Sequence, residues 1–234
     1  MIRKSIKIDQ IPAVLWGEES ERLYIFAHGK QSCKEEAAGF AEIATERNFQ
    51  VLSFDFSRHG ERKDDPQAFD VFSGVRDLQT VWRHAERNWG AVSLYAISIG
   101  AYFSLLAYKD YPLKNCLFLS PILDMQRLIK NMMKWSGVNE ETLKEKKRIP
   151  TSMGEALDWE YYCYAKENPI QKWNPPTAIL YGSKDNLTEQ KVTRDFAERF
   201  EADLTVFKEG EHYFHTPGQL AFLTHWLKEH VISG

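Results

Sequence analysis

Short apolar runs at residues 23–27, 51–56, 91–97, 116–119, 177–181 and 204–207 recur along the chain, and most are apolar throughout. Strands of that kind are covered on both faces, as in a parallel sheet held between helices. Longer segments of helical period separate the runs. This alternation restricts the chain to an α/β fold with a mainly parallel sheet. Residues 2–11 alternate instead, with Ile6 and Ile8 on one face, and read as an antiparallel edge strand hairpinned to residues 14–16.

The intervening segments carry helix signals. Ser32 with Glu35 three residues on predicts a capping box for a helix running to residue 47. Val75, Leu78, Trp82, Ala85 and Trp89 make one helical stripe, with Gly90 placed to end it. Val192, Phe196 and Phe200 stripe another. Thr216 followed by Pro217 opens a last helix, with Leu220, Leu223 and Leu227 expected inward.

At 234 residues the chain is one domain's length. One stretch interrupts the alternation. More than fifty residues separate the runs at 116–119 and 177–181, whereas a crossover helix needs only about a dozen. The stretch has helical patterns at 125–135, 140–147 and 154–167. It also holds three of the seven Trp (Trp135, Trp159, Trp173), with Tyr161, Tyr162 and Tyr164. Insertions of this length in compact domains are usually functional. Residues 122–172 are therefore expected to form a helical lid on a core made of 1–121 and 173–234.

Thirty Lys+Arg against 33 Asp+Glu leave a net charge of −3, too little basic field for a nucleic-acid partner. No run approaches ~18 apolar residues, so no membrane span is expected. Residues 1–12 lack the apolar centre of a signal peptide. Cys33, Cys116 and Cys163 are too few and scattered for a zinc or disulfide framework, which fits reduced thiols in a cytoplasm.

The chemistry-bearing residues follow the apolar runs. In Tyr95-Ala96-Ile97-Ser98-Ile99-Gly100-Ala101 a strand runs into a serine and a helical pattern begins at once. A turn that sharp presses the flanking backbones together, so only small side chains fit at Ala96 and Gly100. The serine is left exposed at the strand end, beside the free N–H groups of a helix N-terminus, which can stabilise an oxyanion. The segment resembles the nucleophile elbow of the α/β-hydrolase superfamily, with Ala96 where the family commonly has glycine.

The resemblance extends over nearly the whole chain apart from the lid. Phe26-Ala27-His28-Gly29-Lys30 is similar to the family's oxyanion loop; it implies a hole made by the backbone N–H groups of Lys30 and Ile99, with His28 structural. Asp55-Phe-Ser-Arg-His59-Gly60 looks like the Asp-x-x-x-His-Gly segment that shapes a turn near the pocket, which leaves His59 outside catalysis. Gly182-Ser-Lys-Asp185 stands where the family places its acid, with Asp124 as an alternative. Gly210-Glu-His212-Tyr-Phe-His215 stands where it places its histidine; His212 has the family's Gly-x-His context, and His215 is the competitor. Ser98, Asp185 and His212 then follow the family's chain order.

The resemblance implies a serine carboxylesterase for a small-molecule ester of small or medium, including aromatic, acyl groups. It would need neither metal nor organic cofactor. The same triad would serve a thioesterase, acyltransferase or lyase; a non-catalytic binding protein of the same fold is the remaining alternative. Trp135, Trp159 and Tyr162 are the candidate pocket residues of the lid. A homo-oligomer stays open.

Overall fold

The computed structural model describes residues 1–152, 154 and 156–231. The chain starts with an antiparallel hairpin, β1 (Arg3–Ile8) and β2 (Ile11–Trp16), paired from Arg3 opposite Trp16 to Ile8 opposite Ile11. β2 continues antiparallel onto β4 (Gln50–Phe54). From there the sheet is parallel through β3 (Arg22–Ala27), β5 (Ala91–Ile97), β6 (Cys116–Leu119), β9 (Thr177–Gly182) and β10 (Asp203–Phe207). The strand order is β1-β2-β4-β3-β5-β6-β9-β10. A separate small antiparallel pair, β7 (Arg148–Pro150) and β8 (Ala156–Asp158), lies in the long stretch between β6 and β9.

The two-residue period of the strands sorts the core into two layers. Tyr24, Phe26, Val51, Tyr95, Leu117 and Leu180 face α1 (Ala38–Thr45) and α8 (Pro217–His230), meeting Phe40, Ile43, Trp226 and Leu227. Leu23, Ile25, Leu52, Phe54, Leu94, Phe118 and Ile179 face the other way. They share a core with residues of α2 (Val71–Asn88), α3 (Ile99–Ala107) and α7 (Gln190–Phe200). Coverage on both faces is why the central runs read as apolar throughout. No helix among the described residues is long and apolar enough to cross a membrane.

The stretch after β6 folds as α4 (Met125–Trp135), α5 (Glu140–Lys146), the β7–β8 pair and α6 (Trp159–Glu167). The helix expected from residue 154 starts only at Trp159. Residues 156–158 pair with 148–150 instead, and Asp158 caps α6 by accepting from the Tyr161 N–H at 3.0 Å.

Two further expectations are corrected. Ser32 and Glu35 form no capping box: residues Lys34–Ala37 are a 3-10 turn, and α1 begins at Ala38. A distant carboxylate holds this turn instead. The Lys34 N–H donates to Asp55 Oδ1 at 2.9 Å, and the Lys34 ammonium meets Asp55 Oδ2 at 2.7 Å. Leu223 and Leu227 of α8 pack against the core as expected, but Leu220 in its first turn is exposed and Gln219 is buried there instead.

Both side chains of the Lys34–Asp55 pair are buried. Asp55 also accepts the Lys34 and Glu61 N–H groups, and without it the buried Lys34 ammonium keeps only the exposed Glu35 and Glu61 carboxylates, so Asp55→Ala is expected to cost about 3–5 kcal/mol in urea unfolding. Ser32→Ala should stay within about 0.5 kcal/mol, since no helix depends on its hydroxyl.

Candidate active site

β5 ends at Ile97 and α3 starts at Ile99, leaving Ser98 as the whole of the turn. Its backbone has φ 52° and ψ −118°, a region that side-chain-bearing residues avoid at a cost of roughly 1–3 kcal/mol. Neighbours hold it there. The Ser98 N–H donates to the Leu119 carbonyl at 3.0 Å, and the Ser98 carbonyl accepts from the Ala101 and Ile122 N–H groups, each at 3.1 Å. A Cβ on Gly100 would lie 2.5 Å from the His28 carbonyl oxygen and 2.6 Å from that of Ala27. Glycine is thus required where α3 crosses the end of β3, and Ala96 pairs directly with Ala27.

The half-buried Ser98 has its hydroxyl 2.8 Å from His212 Nε2, and His212 Nδ1 lies 2.7 Å from Asp185 Oδ2. A carboxylate can only accept, so the Nδ1–H donates to Asp185 and Nε2 is left to accept from Ser98. The Asp185 side chain is fully buried. Its other oxygen accepts the Leu187 and Thr188 N–H groups at 2.8 and 3.0 Å. The loops carrying the acid and the histidine are pressed together: a Cβ on Gly182 would sit 2.4 Å from the Gly210 carbonyl oxygen. The Lys184 N–H donates to that same oxygen at 2.7 Å.

Lys30 and Ile99 flank the serine. A Cβ on Gly29 would lie 3.5 Å from Ser98 Cβ, which puts the 28–31 loop alongside the hydroxyl. Ile99 is the first residue of α3, where helical N–H groups lack intrahelical acceptors.

The competitors lie in other contacts. Asp124 caps α4 through the Arg127 N–H at 2.9 Å. His215 bonds the Tyr213 carbonyl at 2.8 Å and stacks on the exposed Tyr213 ring. Trp135 is half exposed at the end of α4. Trp159 opens α6 with its ring centroid 5.7 Å from that of Tyr162. Tyr162 is fully buried, its hydroxyl 2.6 Å from Glu140. Among the described residues, no hydrogen bond or ring contact joins these three aromatics to Ser98 or His212. No group of three or more His, Cys, Asp or Glu side chains among the described residues could hold a metal ion.

Thr188 escaped the sequence reading. Beyond its N–H on Asp185, its hydroxyl donates to the Pro121 carbonyl at 3.2 Å and its carbonyl accepts the Tyr181 hydroxyl at 2.8 Å. It therefore ties the acid loop to the chain leaving β6. The available signal was Asp185 itself, three residues before Thr188, a spacing at which an aspartate accepts local backbone N–H groups.

Solved structures share this arrangement of strands and helices. Est1E from Butyrivibrio proteoclasticus superposes with a TM-score of 0.76 at 19% identity, over 97% of this chain and 96% of that one. A second structure of Est1E has ferulic acid bound. A putative hydrolase from Agrobacterium vitis S4 gives a TM-score of 0.78 at 15% identity, with 99% of each chain covered. Mouse alpha/beta hydrolase domain-containing protein 10 gives 0.74 at 16% identity, with 98% of each chain covered. The chain has the α/β-hydrolase fold. No protein-family model matches the sequence, and no curated protein matches it. Within this α/β-hydrolase fold, Ser98, Asp185 and His212 all stand on loops at the C-terminal ends of parallel strands, the edge where open α/β sheets bind ligands.

His28, beside this edge, is fully buried. Burial pushes its pKa down from 6.5 to about 4. The unfolded chain therefore takes up a proton on this ring near pH 6.5, while the folded protein refuses it until about pH 4. The stability from the neutral ring is complete above that upper value and falls as the pH drops through this window. Over it the protein should lose about 3 kcal/mol in urea unfolding. His28→Gln should flatten that part of the profile.

Proposed function

We propose that the protein is a serine carboxylesterase acting on small or medium acyl esters, aromatic ones included. The observation that carries this reading is the unbroken hydrogen-bond relay from the strained Ser98 through His212 to the buried Asp185. The aromatic acid bound to Est1E fits the same class of acyl group.

The steps follow from the donor and acceptor roles. His212 Nε2 takes the Ser98 proton as Oγ attacks the ester carbonyl carbon. The oxyanion is received by the N–H groups of Lys30 and Ile99; a donor of this kind is worth about 2.7–4 kcal/mol in serine hydrolysis. Asp185 stabilises the imidazolium and keeps the ring in one tautomer. His212 then protonates the departing alkoxide. In the second half it takes a proton from water, whose oxygen attacks the acyl-enzyme and frees the acid. Neither a metal nor an organic cofactor is called for in any step.

Residues 122–172 serve in this reading as a lid. The stretch departs from Ser98 itself, through the Ile122 N–H on the Ser98 carbonyl, and returns through β9 to the acid loop. Trp135 and Trp159 present it with aromatic surface for an acyl chain.

Ser98→Ala is expected to lower kcat on p-nitrophenyl acetate by about 10⁴–10⁶-fold with an unchanged melting temperature. His212→Ala should lose about as much, because the residues act as one unit. His215→Ala and Asp124→Asn should stay within about threefold, since neither touches the relay. Near wild-type turnover in Ser98→Ala would refute the proposal.

Acetate is too short to reach the lid. Trp135→Ala and Trp159→Ala should therefore change the octanoate-to-acetate rate ratio by about tenfold while leaving acetate near its wild-type rate. Equal slowing of both esters would make the stretch a stability element only.

A further inference from the structure

The loop that carries Lys30 is laced to the loop leaving β4 by two histidines pointing in opposite directions. His28, on the first loop, accepts the Phe56 N–H at Nε2, 3.1 Å away. His59, on the second, accepts the Gln31 N–H at Nε2, 3.0 Å away. In each ring the remaining nitrogen meets a carbonyl: His28 Nδ1 lies 2.6 Å from the Gly29 oxygen and His59 Nδ1 lies 2.9 Å from the Ser57 oxygen. Carbonyls only accept, so both rings are neutral, with Nδ1–H donating and Nε2 accepting.

These bonds fall on two consecutive peptide groups. The carbonyl of the Gly29–Lys30 peptide is held by His28; the N–H of that same planar group is the oxyanion donor of the proposed mechanism. The next peptide, Lys30–Gln31, is held at its N–H by His59. Gln31 stands at φ 60°, in the left-handed region that a glutamine avoids. The bond from its N–H to His59 opposes relaxation of that strain.

His59 is itself fixed. It is buried, its ring centroid lies 4.3 Å from that of Phe69 and 5.1 Å from that of His28.

We propose that His59 is a positioning residue for ester hydrolysis: by accepting the Gln31 N–H it aims the Lys30 N–H at the oxyanion. This inference rests on the serine esterase reading. It assigns His59 no contact with substrate. Its effect is on the alignment of a donor that matters only once negative charge develops, so it acts on kcat and spares KM.

Three variants separate this from a packing role. Leu fills the site without an acceptor. Asn keeps a donor near the Ser57 carbonyl, but its oxygen is too short to reach the Gln31 N–H. Gln places an oxygen where Nε2 was. With p-nitrophenyl acetate, His59→Leu and His59→Asn should lower kcat by about 10–100-fold with KM within about twofold. His59→Gln should stay within about threefold of wild type. Amide hydrogen exchange at Gln31, followed by mass spectrometry at neutral pH, should quicken by about tenfold or more in Leu and Asn but not in Gln.

Should Leu unfold, the Asn and Gln pair carries the same comparison. An active wild type whose Asn and Leu variants keep full kcat overturns this inference alone. So does a Gln variant as slow as Asn. A wild type with no esterase activity and no fluorophosphonate label on Ser98 overturns the esterase reading, and this inference with it.

Discussion

A serine held in a backbone conformation it would not choose organises the functional edge of this protein. At φ 52° and ψ −118°, Ser98 stores strain that only surrounding contacts can hold. Three backbone hydrogen bonds do so, from β6, from the first turn of α3 and from the chain leaving β6. The close approach of Gly100 to the Ala27 and His28 carbonyls closes the turn on its fourth side. The result is a hydroxyl lifted out of the sheet, facing a histidine that arrives from 114 residues away in sequence.

The loops around it depend on one another. The acid loop is locked by Thr188, which bonds Asp185, Pro121 and Tyr181 at once. The histidine loop is pressed onto the acid loop at Gly182 and Gly210. On the far side, the chain from His28 to Lys34 is joined to the loop after β4 by His28, His59 and the buried Lys34–Asp55 pair. Buried polar groups satisfied on every side rigidify their surroundings. That is the condition for preorganised donors to act on a transient charge without rearranging first.

The long stretch between β6 and β9 is built differently. α4 buries Ile129 and Met133 while its Trp135 stays half exposed, and Tyr162 of α6 is spent on packing and on a bond to Glu140. Part of its aromatic content is therefore packed into the core it shares with the sheet.

Much of the fold was legible in the sequence. Apolar runs covered on both faces announced a parallel sheet, and β5 and β6 begin and end where their runs do. Small residues on either side of Ser98 marked a crowded turn, and strand-end placement picked out Asp185 and His212, which the structure brings to Ser98. Local chemistry suffices for such features, because sheet coverage, sharp turns and the Thr216–Gln219 cap are written within a few residues. The tertiary structure alone decided what depends on distant partners. Asp55, 21 residues from Lys34, ties down the 34–37 turn where Ser32 and Glu35 were expected to open a helix. Pairing of residues 156–158 with 148–150 shortened α6, and the seating of α8 turned Leu220 outward. His59 met Gln31 across 28 residues of sequence. A backbone N–H accepts whichever acceptor the fold delivers, and the sequence does not record which distant group will arrive.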